Sequence, residues 1–322
     1  MTFRTRVALP VSVIAAASLA LSGCAADDTG GGSGDTKLRL VASTNVYSGI
    51  AATIAGDAAE VTAIIHDAAQ DPHEYEATPR DALAIADADL VIVNGGGYDE
   101  FMRTLLDAHD SPAVVLDAVE LSGLEPDAHE HGDAEDGDEA EEHHHDHGEF
   151  NEHVWYSFDA MAMLADELAS QLAELDPTDA PTFTANADAF IAGLDELAQR
   201  ASGIAEAQGH THVAITEPVP LYLLEAAGLE NATPEEFSEA VEEGTDAPAL
   251  VVRDTVQLVT DGSVAFLAYN EQTVGPQTEQ VLAAARDAGT PVVSFTELLP
   301  EGEDYLGWMA ANLDAIEAAL AG

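Results

Sequence analysis

Apolar positions along the chain fall into short continuous runs separated by amphipathic stretches. The runs predict buried strands at residues 38–43, 61–65, 90–93, 113–116, 212–215, 264–269 and 291–294. Apolar residues at helical spacing predict helices at 50–55, 79–86, 101–108, 159–175, 182–208, 221–227, 278–288 and 305–320. Because strands alternate with helices, the sequence predicts an α/β fold of two open lobes with parallel sheets.

The predicted helix at 182–208 is long enough to connect two such lobes. At about 1.5 Å per residue it spans roughly 40 Å, which is the length of a domain. We therefore predict an N-terminal lobe at 37–177, a linking helix at 178–209 and a C-terminal lobe at 210–322. Open parallel sheets bind ligands outside the carboxyl ends of their strands, so the predicted site lies in the cleft between the lobes.

The first 36 residues have the pattern of a processing segment followed by a tether. Arg4 and Arg6 precede an apolar stretch at 7–21, and the sole cysteine, Cys24, follows it in a pattern typical of a bacterial lipobox. We predict a lipoprotein signal peptide at 1–23, lipidation at Cys24 and a flexible polar tether at 24–36. The protein would then be anchored to the outer face of the cell membrane. The alternative is a secretory signal with an incidental cysteine; either way, disulfides and multi-cysteine metal sites are excluded.

The charge of the chain is strongly acidic. It has 61 Asp and Glu against 9 Lys and Arg, for a formal net charge of −52. Such a surface repels nucleic acid and attracts cations, although adaptation to salt or general solubility accounts for most of the charges equally well.

A segment at 126–152 interrupts the strand and helix pattern with acidic residues and histidines. It has too little apolar surface to form a packed core. Its histidines predict accessory, exchangeable metal binding, with a solvated acidic linker as the alternative. They are His129, His131, His143, His144, His145 and His147.

Three residues outside that segment are candidate ligands for one metal ion. His73 follows a predicted strand, His153 lies where the acidic segment returns to ordered chain, and Glu217 follows the strand at 212–215. Two imidazoles and a carboxylate suit Zn²⁺, Mn²⁺ or iron rather than a soft metal. Tyr98 and Trp155 are interpreted as packing residues.

Enzyme motifs are absent from the sequence. It has no HExxH pair, no Gly-x-Ser-x-Gly turn and no phosphate-binding glycine loop. A secreted zinc hydrolase stays open as an alternative because two histidines and a glutamate also match a catalytic zinc site.

Two segments resemble motifs of one family. Residues 71–76 resemble the DPHxYE segment of the zinc/manganese solute-binding lipoproteins of ABC importers, the cluster A-I or ZnuA/TroA-like family, and residues 151–155 resemble its PHVW segment. The likeness extends over most of the mature chain. It implies two α/β lobes joined by a long rigid helix, a metal between them, no catalysis, a permease and its ATPase as partners, and a monomer. A metal-buffering surface adhesin of the same fold is the alternative.

The resemblance also implies a ligand set. His73 and His153 match the ligands of the first lobe, and Glu217 matches a third position that is His in many zinc-binding members and Glu in many manganese-binding ones. The fourth ligand is usually Asp or Glu, and the matching region at 269–276 offers Glu271, Asn270 or a water. The histidine-rich segment favours Zn²⁺ and Glu217 favours Mn²⁺, so we expect zinc with manganese as the alternative.

Overall fold

The computed structural model describes residues 37–67, 70, 72–73, 75–109, 111–125 and 150–321, which lie in one compact unit, Lys37–Gly322. The first half has four parallel strands in the order β2-β1-β3-β4: β1 (Leu38–Thr44), β2 (Ala59–Ile65), β3 (Leu90–Val93) and β4 (Val114–Asp117). Its helices are α1 (Asn45–Ala55), α2 (Pro79–Ala86), α3 (Glu100–His109), α4 (Ala118–Ser122) and α5 (Phe158–Leu175).

The second half repeats this arrangement with the strand order β6-β5-β7-β8. Its parallel strands are β5 (Thr211–Ile215), β6 (Leu229–Asn231), β7 (Leu267–Asn270) and β8 (Val292–Phe295). Its helices are α7 (Leu221–Ala226), α8 (Glu235–Glu242), α9 (Ala249–Thr260), α10 (Pro276–Ala288) and α11 (Tyr305–Leu320). The predicted two-lobe α/β class is confirmed, whereas β6, α4, α8 and α9 were not among the predicted elements.

The long helix α6 (Ala180–Gln208) lies between the halves. Near its start, Asn186 Nδ2 donates to the carbonyl of Ile54 at 2.9 Å, in α1. Near its end, Arg200 forms ion pairs with Asp314 and Glu317 of α11. The helix is therefore fixed to elements of both lobes.

One hydrophobic core runs through both halves. It continues from β1 and α1, through the apolar face of α6, to β5, β8 and α11. Trp155, Tyr156, Tyr305 and Trp308 form a run of ring contacts within it. Separating the lobes would expose this apolar surface to water, so the lobes are packed together rather than connected by a loose hinge.

Among the described residues, no helix combines the length and apolar character needed to cross a bilayer.

Candidate metal centre

Two predicted residues, His73 and His153, lie together in the cleft with a third residue, Glu297. One ligand atom from each of the three lies within 4.8 Å of the others. His153 and Glu297 are buried, with exposures of 1% and 6%, whereas the His73 side chain is 29% exposed. The two histidines come from the first lobe and Glu297 comes from the second, so residues of both lobes meet at this point.

The imidazole of His153 is held in one orientation. Asn151 Oδ1 lies 2.6 Å from His153 Nδ1 and also accepts the His153 backbone N–H at 3.1 Å. Asn151 Nδ2 donates to the carbonyl of Pro218 at 3.1 Å, which turns the amide oxygen toward the ring. We therefore assign the proton to Nδ1, which leaves Nε2 available as a metal ligand.

The electrostatics of His153 also suit a metal ligand. Burial, and secondly the charge of His73, hold the pKa of His153 well below its ordinary value. The ring therefore stays neutral at physiological pH, which is the form that coordinates a metal.

Asn270 connects the two carboxylates of the second lobe. Its Nδ2 donates to Glu217 Oε2 and, at 2.8 Å, to Glu297 Oε1. Its Oδ1 accepts the Gln272 backbone N–H at 3.1 Å. Because the amide oxygen is already used and the nitrogen faces the carboxylates, Asn270 holds two acidic side chains side by side and is not itself placed as a ligand.

Tyr98 was interpreted from the sequence as a packing residue, but it also contacts residues of the metal centre. It is fully buried, and its ring meets His73 edge-on with centroids 5.0 Å apart and His153 at 5.8 Å. Its hydroxyl donates to Glu297 Oε2 at 3.1 Å. Burial first, and then Glu297, raise the pKa of Tyr98 well above its ordinary value, so the hydroxyl keeps its proton.

A second group of acidic residues borders the first. Ligand atoms of Glu152, His153 and Glu242 also lie within 4.8 Å of one another. Glu152 Oε1 is 3.8 Å from His73 Nε2, and Glu242 Oε1 is 3.7 Å from His153 Nδ1. Glu242 faces the Nδ1 atom that Asn151 already holds, whereas the group with Glu297 joins both predicted histidines, so we take the latter as the candidate metal site.

Burial makes these border carboxylates hard to ionise. It raises the pKa of Glu152 to about 7 and, with the charges of Glu152 and Glu217 added, that of Glu242 to about 9. A divalent cation among these groups would relieve their mutual repulsion. The cleft therefore contains carboxyl groups whose ionisation a bound cation would favour.

The structure does not bring every predicted site residue to this centre. Glu217 is buried beside it, in contact with Asn270, but Glu271 is exposed and belongs to neither group. Glu297, which the sequence reasoning did not name, is the carboxylate grouped with the two histidines. Its position in the sequence could have identified it, because Glu297 follows strand β8 in the same way that Glu217 follows strand β5. Cys24 and the six histidines of the acidic segment lie outside the described residues.

Comparison with known proteins gives concordant results. Residues 40–319 match the family model described as zinc-uptake complex component A, periplasmic. The chain is 29% identical over 269 residues to the manganese-binding lipoprotein MntA of Halalkalibacterium halodurans, covering 76% of this chain and 80% of that protein. It is 26% identical over 302 residues to the iron ABC transporter substrate-binding lipoprotein MtsA of Streptococcus pyogenes, covering 88% and 89%.

A solved structure shares the fold. The periplasmic zinc-binding protein TroA of Treponema pallidum superimposes with a TM-score of 0.68 at 19% identity, over 88% of this chain and 99% of that one.

Proposed function

Because the chain belongs to the family of periplasmic zinc-uptake components A, we propose that it captures Zn²⁺ in the cleft and delivers it to an ABC permease and its ATPase. Membership makes it a metal-binding substrate-binding protein of an importer rather than an enzyme. The observation that carries the proposal is the convergence of His73, His153 and Glu297, with ligand atoms within 4.8 Å.

In this proposal the metal is held by two histidines from the first lobe and carboxylates from the second. His73 and His153 would supply nitrogens and Glu297 an oxygen, and we propose Glu217, which shares the Nδ2 group of Asn270 with Glu297, as the fourth ligand. Zinc is commonly held by four such nitrogen and oxygen ligands. Zinc also binds more tightly than manganese at most sites of this composition.

Manganese is the second candidate because of the second carboxylate. Hard oxygen ligands suit Mn²⁺, and the relative MntA is named as manganese-binding.

The remaining features follow from the sequence. We propose a lipoprotein with a signal peptide at 1–23, lipidation at Cys24, a tether at 24–36 and a monomeric body built of the lobes 37–177 and 210–322 with the linking helix 178–209. Relatives named as lipoproteins support an extracytoplasmic, membrane-anchored location. The histidines at 129–147 would hold additional metal weakly.

Metal titration of the metal-free mature protein tests the proposal. Wild type should bind one tight equivalent of Zn²⁺ in isothermal titration, whereas His153→Ala and Glu297→Gln should each lose it. His109→Ala, which removes an exposed histidine at the end of α3, is the control and should retain it. If wild type bound no tight equivalent, or if His153→Ala kept it, the proposed site would be wrong.

A further inference from the structure

Tyr98 links the two lobes at the metal centre. It follows β3 in the first lobe, and its hydroxyl reaches Glu297 in the second lobe, 199 residues away in sequence. Its ring contacts both candidate histidines and also packs against Trp155, at a centroid distance of 4.7 Å. One buried side chain therefore touches ligands from both lobes.

The turn that carries Tyr98 is rigid. Gly95, Gly96 and Gly97 have positive φ angles of 80°, 62° and 95°. The buried Asp99 carboxylate closes the turn by accepting the backbone N–H of Asn94 at 2.6 Å and that of Gly95 at 3.0 Å. Glycine is needed at position 95, since a Cβ there would lie 2.1 Å from an oxygen of Asp117. The hydroxyl of Tyr98 is thus presented from a fixed position.

Both oxygens of Glu297 accept hydrogen bonds. Tyr98 donates to Oε2 at 3.1 Å, and Asn270 Nδ2 donates to Oε1 at 2.8 Å. The two donors belong to different lobes, and together they hold the carboxylate in one orientation. Asn270 Nδ2 has two hydrogens for three acceptors, on Glu217, Thr273 and Glu297, so its bond to Oε1 is the more easily exchanged for a metal, whereas Oε2 stays with Tyr98.

We propose that Tyr98 is a specificity-determining positioning residue, which holds one oxygen of Glu297 so that this carboxylate ligates the metal through a single oxygen. Single-oxygen ligation keeps the coordination number low and favours zinc, which accepts four ligands, over manganese, which takes more oxygen ligands. This inference rests on the proposed metal site and names what selects the metal there.

Tyr98→Phe removes the hydroxyl and keeps the ring that packs on the histidines. The matched control is Tyr156→Phe, because Tyr156 is also buried and donates to the carbonyl of Thr296, next to Glu297, at 2.7 Å. Both variants lose one hydrogen bond between the lobes, but only Tyr98→Phe frees a carboxylate oxygen. Affinities for Zn²⁺ and Mn²⁺ are measured by competition with a chelator for wild type and both variants.

In Tyr98→Phe the preference for zinc over manganese should fall by about tenfold. This is the lower end of the change in metal affinity expected when a residue that hydrogen-bonds to a metal ligand is replaced. In Tyr156→Phe the preference should stay at the wild-type value. Co²⁺ provides a spectroscopic readout: the wild-type complex should show the intense visible absorption of four-coordinate cobalt, and Tyr98→Phe should shift it toward the weak absorption of higher coordination.

Two results would overturn the inference while leaving the metal site itself intact. One is an unchanged preference and cobalt spectrum in Tyr98→Phe when wild type binds one tight equivalent; the other is an equal loss of preference in both variants. If Tyr98→Phe did not fold, the wild-type cobalt spectrum would decide, because a six-coordinate spectrum contradicts single-oxygen ligation. Absence of tight binding in wild type would instead refute the proposed function.

Discussion

Glu242 lies at the end of α8, where its carboxyl group faces His153 and is repelled by four other glutamates: Glu152, Glu217, Glu297 and Glu239. Burial first, and then the charge of Glu152, raise its pKa from 4.5 to about 9. Its side chain is only 20% exposed, and its Oε1 accepts no hydrogen bond. Glutamine resembles the protonated carboxyl group but cannot ionise. Glu242→Gln therefore tests how much stability the metal-free protein loses by burying an ionisable group at this position.

The direction and size of the expected change in stability follow from the linkage between proton binding and folding. A carboxyl group whose pKa is raised on folding contributes stability that is complete below pH 4.5 and is lost as the pH rises toward 9. Each pKa unit corresponds to about 1.4 kcal/mol, so at pH 8 the wild-type protein has lost at most roughly 5 kcal/mol, a cost that Glu242 shares with the carboxyl groups that raise its pKa. Glu242→Gln removes that loss. Between pH 6 and pH 8 the stability advantage of the variant should grow by roughly 3 kcal/mol.

The assay is urea unfolding of metal-free protein, followed by tryptophan fluorescence at pH 6 and pH 8. Glu243→Gln, at the exposed neighbouring position, is the control and should show no such growth. An advantage of Glu242→Gln that stays constant between the two pH values would refute the argument. So would a variant less stable than wild type at pH 8.

The remaining predictions concern metal affinity. Asn151→Ala frees Nδ1 of His153 and should weaken zinc binding by about 10- to 100-fold in chelator competition. Asn186→Ala, which removes an amide contact far from the cleft, should leave the affinity unchanged, and an equal effect in both variants would contradict the role of Asn151. Deletion of residues 127–149 should keep the tight equivalent of zinc and remove weaker ones in isothermal titration; loss of the tight equivalent would show that the segment contributes to the main site.

Most of the fold was predictable because its strands are short apolar runs between amphipathic helices. The missed elements are β6, α4, α8 and α9, and two of them lack that contrast. The strand β6 has three residues, of which only Leu229 is buried, and α8 is an acidic helix of eight residues. Tertiary packing, rather than local pattern, fixes both elements.

His73, His153 and Glu217 were identifiable from their places after predicted strands or at the end of the acidic segment, whereas Glu297 was not singled out among the many acidic residues. With 61 acidic residues, no single Asp or Glu differs from its neighbours by type alone. Glu271 and Glu297 both follow strands, and only the arrangement of β7 beside β8 decides which carboxylate faces the cleft. Glu242 lies on helix α8, so the rule that ligands lie at the carboxyl ends of strands does not identify it.

The proposed ligands differ sharply in their access to water. Solvent reaches the ring of His73, while His153 and Glu297 are almost completely enclosed. A chelator or a competing ion arriving from outside therefore meets His73 first. In the proposed site, the bond between His73 and the metal would therefore be the one most open to displacement when the ion is released.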